Sequence, residues 1–524
     1  MLATGTTTVG EVLVTEESEQ DVLPSSVAQL DSIVFPATTM GTNQLIGMGM
    51  TAAASPGLLD PSDFILGQEG FCPVLQNDPK YFADMLLLGN LGYQEFFDFY
   101  SLLSDFLPSG KKGGIGFPIG PGGKKGGRNA DTGESALAPG LCTTSYFSHK
   151  EIKRRLTRFP QAYQDGRATR GNELGLFRLN DATFRFCQGE EYCGIGLGLP
   201  FDEHAIQRPF LDDLWGDRDT ALGSIFGDSG NNWERDDLVA SATTFLESKT
   251  RVDFGRDASI WVILELHRIA GVGINEALAE TFLGLQGASL LLAIVPELLV
   301  DVVAEEVLGT TVADINTGKE FFIALYKNAL LANPPPTIDT SVSEELQLAA
   351  TGILDSILFA GGVSVSGVIQ SGLAAYYTGL TDSTPGFDVT SQSDLNLLAL
   401  ESIRVFPPVL GFSYFSENGR REAPLVGMAG YDEEVYGEDA DEFRIRGSLR
   451  YYHRRSLNFA DAALPTDTDP SSARICPGRS LSLAMITAFW EALDASAFCV
   501  VGGPESIEEQ EGPSFWSDFS IESC

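Results

Sequence analysis

The sequence predicts a mainly helical protein with a minor β part, organised around a single domain. Three observations lead there. Long stretches space their apolar residues near a 3.6-residue period, these stretches end at Pro or Gly, and only one short segment, 409–431, alternates as a small sheet would. No internal repeat is present.

The elements follow in chain order. Residues 1–70 are rich in Thr, Ser, Gly and Ala with weak periodicity, which predicts a weakly structured lead-in. Residues 80–107 read as helix. Residues 110–127, GKKGGIGFPIGPGGKKGG, read as a flexible surface insertion: no Lys there is followed by Ser or Thr and no apolar strand leads in, so it is not a phosphate loop. A basic amphipathic helix is expected over 149–156, and further helices over 174–187, 258–285, 290–308 and 319–331. Pro334, Pro335 and Pro336 mark a loop. Residues 344–380 form a long apolar helical stretch with Gly361 and Gly362 at its middle. The helix over 395–404 is stopped by Pro407 and Pro408, and the last clear helix spans 481–493. The main domain is expected over 71–500, with 501–524 as an acidic, solvated tail.

Composition excludes several classes. The chain has 524 residues, 43% of them apolar, with 34 Lys and Arg against 72 Asp and Glu, a net charge of -38. Such a surface repels nucleic acid, anionic membranes and acidic redox proteins. Seven cysteines, an odd number scattered through a long chain, do not make a disulfide framework and suit a reducing compartment. No Lys, Arg or His precedes Lys80, and Glu11, Glu16, Glu17 and Asp21 lie before it. Neither a secretory signal nor a transit peptide is visible, so a cytoplasmic or stromal location is expected. The longest apolar run, Ala288 to Val295, is far short of the roughly 20 residues that span a bilayer. The spacings of His149, His204, His267 and His453 match no metal motif, and each reads as a surface or packing histidine.

Three motifs stand in order. Glu401-Ser402-Ile403-Arg404 places its two charges at i and i+3, on one helix face. Alone, this would be an exposed ion pair worth under ~1 kcal/mol. Residues 431–444, YDEEVYGEDADEFR, alone would be an acidic loop. Arg474-Ile475-Cys476-Pro477-Gly478-Arg479 runs into a helix, whose dipole and unpaired backbone N–H groups favour a thiolate on Cys476. The competing reading of that cysteine is a buried structural thiol.

Together, in this order, E-x-x-R, the aromatic acidic loop and R-x-C-P-G resemble the cytochrome P-450 superfamily. The resemblance runs from about residue 70 to 495. It extends to the plant-type clan of allene oxide synthase, hydroperoxide lyase and epoxyalcohol synthase. Phe71 to Leu75 is similar to that clan's F-P-V-L-F, Ser148 to Lys153 to its K-H-x-x-L-K, and Thr183 to Phe186 to its A-F-N-F. Glu401 to Val409 resembles E-S-L-R-x-x-P-P-V, and Leu464 to Pro470 an insertion before the haem cysteine. The resemblance implies a P-450 fold with haem b between a long central helix and the Cys loop. Cys476 would be the axial thiolate and metal ligand. Arg474, His149 and Lys153 would be further cofactor-binding residues, and Glu401, Arg404 and Arg446 an ion-pair core. Arg446 lies one residue short of the usual spacing from Phe443.

The central helix separates activities within that family. Oxygen-activating members carry A-G-x-[DE]-T, in which the acid and hydroxyl deliver protons. Here Val363 stands in place of the acid, and a Val relays no proton. The segment is closer to the clan's N-x-F-G-G-F-S: Gly361, Gly362 and Ser364 match, whereas Leu358 replaces the Asn. Leu358, Gly361, Gly362 and Ser364 are therefore the candidate catalytic residues, although a double Gly in a helix is equally explained by close packing. The expected function is rearrangement of polyunsaturated fatty-acid hydroperoxides without dioxygen or reductase, to epoxyalcohols first, with hydroperoxide lyase and allene oxide synthase next. A conventional monooxygenase and a non-catalytic haem protein are the competing classes. The partners expected are the hydroperoxide itself and, at most, a lipid surface met peripherally, with no nucleic acid and no redox partner. Against the last point, Arg444, Arg446, Arg450, Arg454 and Arg455 form a basic cluster able to dock a donor.

Overall fold

The computed structural model describes residues 143–146, 148–164, 201–216, 233–294, 301, 304–305, 308–383, 387–408, 414–415, 421–424, 426–459, 462, 475–493, 497–507 and 519–524. The lead-in, the helices expected over 80–107 and 174–187, the Gly- and Lys-rich insertion, Arg474 and the 464–470 segment lie outside the described residues, as do Cys72, Cys142, Cys187 and Cys193.

The described chain is mainly α with two small sheets. Strand β1 (Thr143–Tyr146) leads into α1 (His149–Gln164), followed by α2 (Phe201–Trp215) and α3 (Arg235–Glu247). Strand β2 (Arg251–Asp253) then leads into α4 (Phe254–Ile269), α5 (Glu276–Ile294) and α6 (Val312–Ala332). The central helix comprises α7 (Ser343–Asp355), a π-helical turn (Ser356–Ala360) and α8 (Gly361–Tyr377). After α9 (Gln392–Val405) come β3 (Tyr414–Phe415), β4 (Arg421–Pro424), α10 (Leu449–Arg455), α11 (Arg479–Leu493), β5 (Phe498–Val500) and β6 (Ser520–Ser523). In the first sheet β4 lies between β1, to which it is parallel, and β3, to which it is antiparallel. In the second, β6 lies between β2 and β5, antiparallel to both.

The expected helix over 258–285 is two helices. The apolar pattern is continuous, but Gly271 takes a left-handed φ of 76° and ends α4. The N–H groups of Ala270, Gly271 and Val272 turn back to the carbonyls of Leu266, Arg268 and His267. Thr311 starts α6 through a capping box: its Oγ1 accepts from the Asp314 N–H, and the Asp314 carboxylate accepts from the Thr311 N–H. Helix α4 is buried on nearly every face and packs on α8. Helix α8 also meets α11 so closely that a Cβ on Gly372 would lie 2.4 Å from the Trp490 ring. That ring donates from Nε1 to the Ile369 carbonyl (3.0 Å). By length and composition alone, Ser343–Tyr377 is apolar enough to cross a membrane; 81% of its most apolar window is buried inside the protein, as in a core helix.

The chain end departs from the expectation of a solvated tail. Phe519 and Ile521 are buried, Phe519 stacks on Phe254 with ring centroids 4.7 Å apart, and β6 completes a sheet. Its last residue, Cys524, forms a disulfide with Cys499. For these two cysteines the expectation of inert, unpaired thiols therefore fails. Acidic composition around 504–511 had concealed a strand with two apolar anchors.

Candidate functional site

The second half of α9 carries the most constrained polar group in the described protein. Glu401 and Arg404 are buried, at 0% and 2% exposure, so the exposed-pair reading does not hold. Arg404 donates bidentately, Nε to Oε2 at 2.9 Å and Nη2 to Oε1 at 2.7 Å. Its remaining N–H groups reach the carbonyls of Gly430 (2.7 Å), Ala440 and Glu442 (2.6 Å), which closes the acidic 428–446 segment over α9. Glu401 also accepts from the Arg444 backbone N–H (2.8 Å) and from the Tyr452 hydroxyl (2.9 Å). Both charges are thus saturated with donors and acceptors, as burial demands.

Arg446, the expected third member, stands at the edge of this group. Its Nε lies 3.8 Å from Glu401, beyond hydrogen-bond distance, and its guanidinium is engaged chiefly by Asp439, with Nη1 to Oδ1 at 2.6 Å. The third direct partner of the Glu401 carboxylate is Tyr452, which the sequence reading missed. Its hydroxyl also accepts the Arg446 N–H (2.7 Å), which ties the two ends of the segment to α9.

Cys476 sits three residues before α11, its N–H bonded to the Phe459 carbonyl at 2.9 Å. Among the described residues it is the cysteine outside any disulfide. Helix α2 runs alongside. Arg208 donates from Nη1 to the Ile475 carbonyl (2.5 Å) and is paired through Nε and Nη2 with Asp212 (both 2.8 Å). Burial raises the Asp212 carboxyl above its usual range, and Arg208 opposes that shift. One turn on, Trp215 lies 3.8 Å from where a Gly478 Cβ would stand and donates to Ser356 Oγ (3.1 Å) in the π turn. Gln207 donates to the Leu348 carbonyl of α7 (2.7 Å). Helix α2 therefore joins the Cys476 loop to the central helix.

The expected cofactor residues His149 and Lys153 lie in the first turns of α1. The His149 ring is buried and donates from Nε2 to the Arg455 carbonyl (2.7 Å), and its backbone N–H bonds Asp432 (2.7 Å). Burial lowers its pKa, so the neutral ring suits this role. Lys153 is exposed. These contacts fasten α1 to the 428–455 segment; among the described residues Arg208 is a basic group that reaches the Cys476 loop. His204, one turn before it, is buried as well, and no local pattern in the sequence marks either.

In the central helix Leu358 is fully buried, Val363 nearly so, and Ser364 half-buried. A Cβ on Gly361 would lie 3.1 Å from the Leu266 side chain of α4. A Cβ on Gly362 would collide with the Ile357 carbonyl at 2.1 Å and with Gln286 Nε2 of α5 at 2.7 Å. Both glycines thus sit at close approaches of neighbouring groups. In the basic cluster, Arg444 and Arg446 are ion-paired with Asp439, Arg455 lies over the Tyr451 ring, and Arg450 and Arg454 are exposed.

No family model and no curated protein matches the chain. Among solved structures it is similar to the cytochrome P450 CxnD, described as acting in C–S bond formation in chuangxinmycin biosynthesis. The identity is 14% and the TM-score 0.49, over 74% of this chain and 90% of that one. It is similar at 15% identity and TM-score 0.47 to a myxobacterial cytochrome P450 in complex with myristic acid, over 73% and 90% of the two chains. It is similar at 13% identity and TM-score 0.47 to the Bacillus subtilis cytochrome P450 PksS of a polyketide synthase, again over 73% and 90%.

Proposed function

We propose that this chain is a haem-thiolate enzyme in which Cys476 supplies the axial ligand. The observation that carries the reading is the conjunction of the buried, saturated Glu401–Arg404 pair with a thiol placed just before α11. The donor set fits the group. A helix N-terminus favours the thiolate and Gly478 keeps a side chain off the loop, while Arg208, already paired with Asp212, braces that loop through the Ile475 carbonyl. When bound, haem would supply cleavage of a substrate O–O bond.

Within that class we propose rearrangement of fatty-acid hydroperoxides, with epoxyalcohol as the main product. Val363 stands where oxygen-activating relatives use an acid, and it holds no proton to deliver. Leu358 stands where the clan has an amide, so that position offers the peroxide no hydrogen bond and gives no help to the proton loss an allene oxide requires. An apolar position therefore favours an epoxyalcohol, which keeps both peroxide oxygens, over chain fragmentation. The exposed Arg450 and Arg454 support the second reading, a monooxygenase fed by an acidic donor.

The test begins with reduced protein under carbon monoxide. A thiolate-type Soret band is expected and should be lost in Cys476→Ser; an unchanged band in that variant removes Cys476 as the ligand. Pure protein is then mixed with a linoleate hydroperoxide without NADPH. Loss of the conjugated-diene absorbance, with both peroxide oxygens kept in the product in labelled water, supports the reading. Turnover only with an added reductase supports the alternative.

A further inference from the structure

The central helix breaks its α register between Ser356 and Ala360, where the Gly361 N–H bonds back five residues to the Ser356 carbonyl. A π turn widens the helix and is less favourable than the α-helix on either side, so it persists where neighbours hold it. Three neighbouring helices do so here. From α2, Trp215 bonds Ser356 Oγ. From α4, Leu266 packs against Gly361. From α5 comes Gln286, which is fully buried. Its Nε2 donates to two successive carbonyls of the turn, Ile357 (3.1 Å) and Leu358 (2.9 Å). Its Oε1 has no partner among the described residues, so donation from Nε2 is the polar work this side chain does. Gly362 makes that approach sterically available, since any Cβ there would occupy the space of the amide.

We infer that Gln286 is a positioning residue: its amide clamps the π turn and thereby fixes the register that places Leu358, Val363 and Ser364. The inference deepens the proposed function, on which the catalytic meaning of that register rests. The clamp itself does not depend on haem. Without the amide, two buried carbonyls lose a donor and the helix gains by re-winding toward the α register. Re-winding rotates the following residues relative to Leu358, so the effect on the pocket is one of orientation rather than of lost chemistry.

The clamp is tested by amide hydrogen exchange of the whole protein, reading the peptide that spans 356–366, with α9 and α11 as internal controls. Gln286→Met keeps the length and removes the donor. About tenfold faster exchange is expected in that peptide, with the controls unchanged. Gly362→Ala displaces the Ile357 carbonyl and the Gln286 amide together, and so removes the same contact from the other side. It should produce the same local change, and the double variant should add less than twofold to either. Gln286→Glu supplies a readout that bulk packing would not move. Its neutral acid can donate one hydrogen bond and its carboxylate none. After correction for intrinsic rates, exchange should therefore approach wild type near pH 5 and quicken by pH 8. On protein that carries haem, linoleic acid, a probe lacking the peroxide, should bind more weakly to Gln286→Met and give a smaller spin-state change. Wild-type exchange at 356–366 in Gln286→Met, or additive effects of Gln286→Met and Gly362→Ala, overturns the clamp. If Gln286→Met does not accumulate, the pH response of Gln286→Glu decides alone, and its absence overturns the clamp. Absence of a thiolate spectrum in wild type would instead defeat the functional reading, leaving the exchange result to stand on its own.

Discussion

Tyr452→Phe isolates one strut of the buried network. The ring is 1% exposed, so Phe preserves the packing and removes only the hydroxyl. That hydroxyl makes two bonds: it donates to the Glu401 carboxylate at 2.9 Å and accepts the Arg446 N–H at 2.7 Å. A hydrogen bond to a charged group contributes about 1.5–3 kcal/mol, and a buried donor left unsatisfied costs about 1–3 kcal/mol. Partial relaxation of the part-buried Arg446 N–H reduces the second loss. The expected destabilisation is therefore about 2–4 kcal/mol. Urea unfolding measures it, with an unchanged slope showing that only stability has moved. Glu401→Gln should cost more, about 3–5 kcal/mol, because it leaves Arg404 buried without its countercharge. In the double variant the two losses should fall short of their sum, since both act on one carboxylate. A loss under about 0.5 kcal/mol for Tyr452→Phe, or full additivity, would refute the view that the 428–455 segment is held to α9 through Glu401.

Two further outcomes follow from buried groups elsewhere. His267 is fully buried, donates from Nδ1 to the Ile263 carbonyl (2.7 Å) and accepts from the Tyr326 hydroxyl at Nε2 (2.8 Å). Burial holds its pKa at about 4 against 6.5. The unfolded chain therefore binds the extra proton between those values; the contribution is complete above pH 6.5 and is lost as pH falls toward 4, by about 3 kcal/mol. His267→Gln should flatten the fall in urea midpoint across that window relative to wild type, and an unchanged pH profile would count against the assignment. The Cys499–Cys524 disulfide closes a separation of 25 residues, so Cys524→Ser should lower stability by about 3 kcal/mol and speed amide exchange in β6, read by the same two methods.

What could be read from the sequence was what lies close along the chain. Glu401 and Arg404 are three residues apart on one helix, so their pairing was visible; their burial was not, because it is imposed by carbonyls from 430–442 folding back over α9. Tyr452 and Arg208 were missed for the same physical reason. The first meets Glu401 across 51 residues and the second meets Ile475 across 267, and no periodicity reports such distances. The stop of α4 was there to be read, with His267 and Arg268 in the last turn and Gly271 after it, but a continuous apolar pattern outweighed those signals.

The double glycine shows where sequence logic reaches its limit. A helical Gly costs about 1 kcal/mol relative to Ala, so two in succession need a reason, and chemistry and packing supply equally good ones from sequence alone. The contacts separate them. Gly361 admits Leu266 from α4, and Gly362 admits both the Ile357 carbonyl and the Gln286 amide from α5. Both glycines face neighbours that shape the π turn, so in the proposed reaction their influence would pass through the backbone they release. Among the described side chains of this turn, Leu358 is the one on which the proposed product choice rests. A Leu358→Asn variant with unchanged exchange at 356–366 but more ketol would separate wall polarity from helix register. An unchanged product mixture in that variant would show that the polarity of residue 358 does not set the outcome.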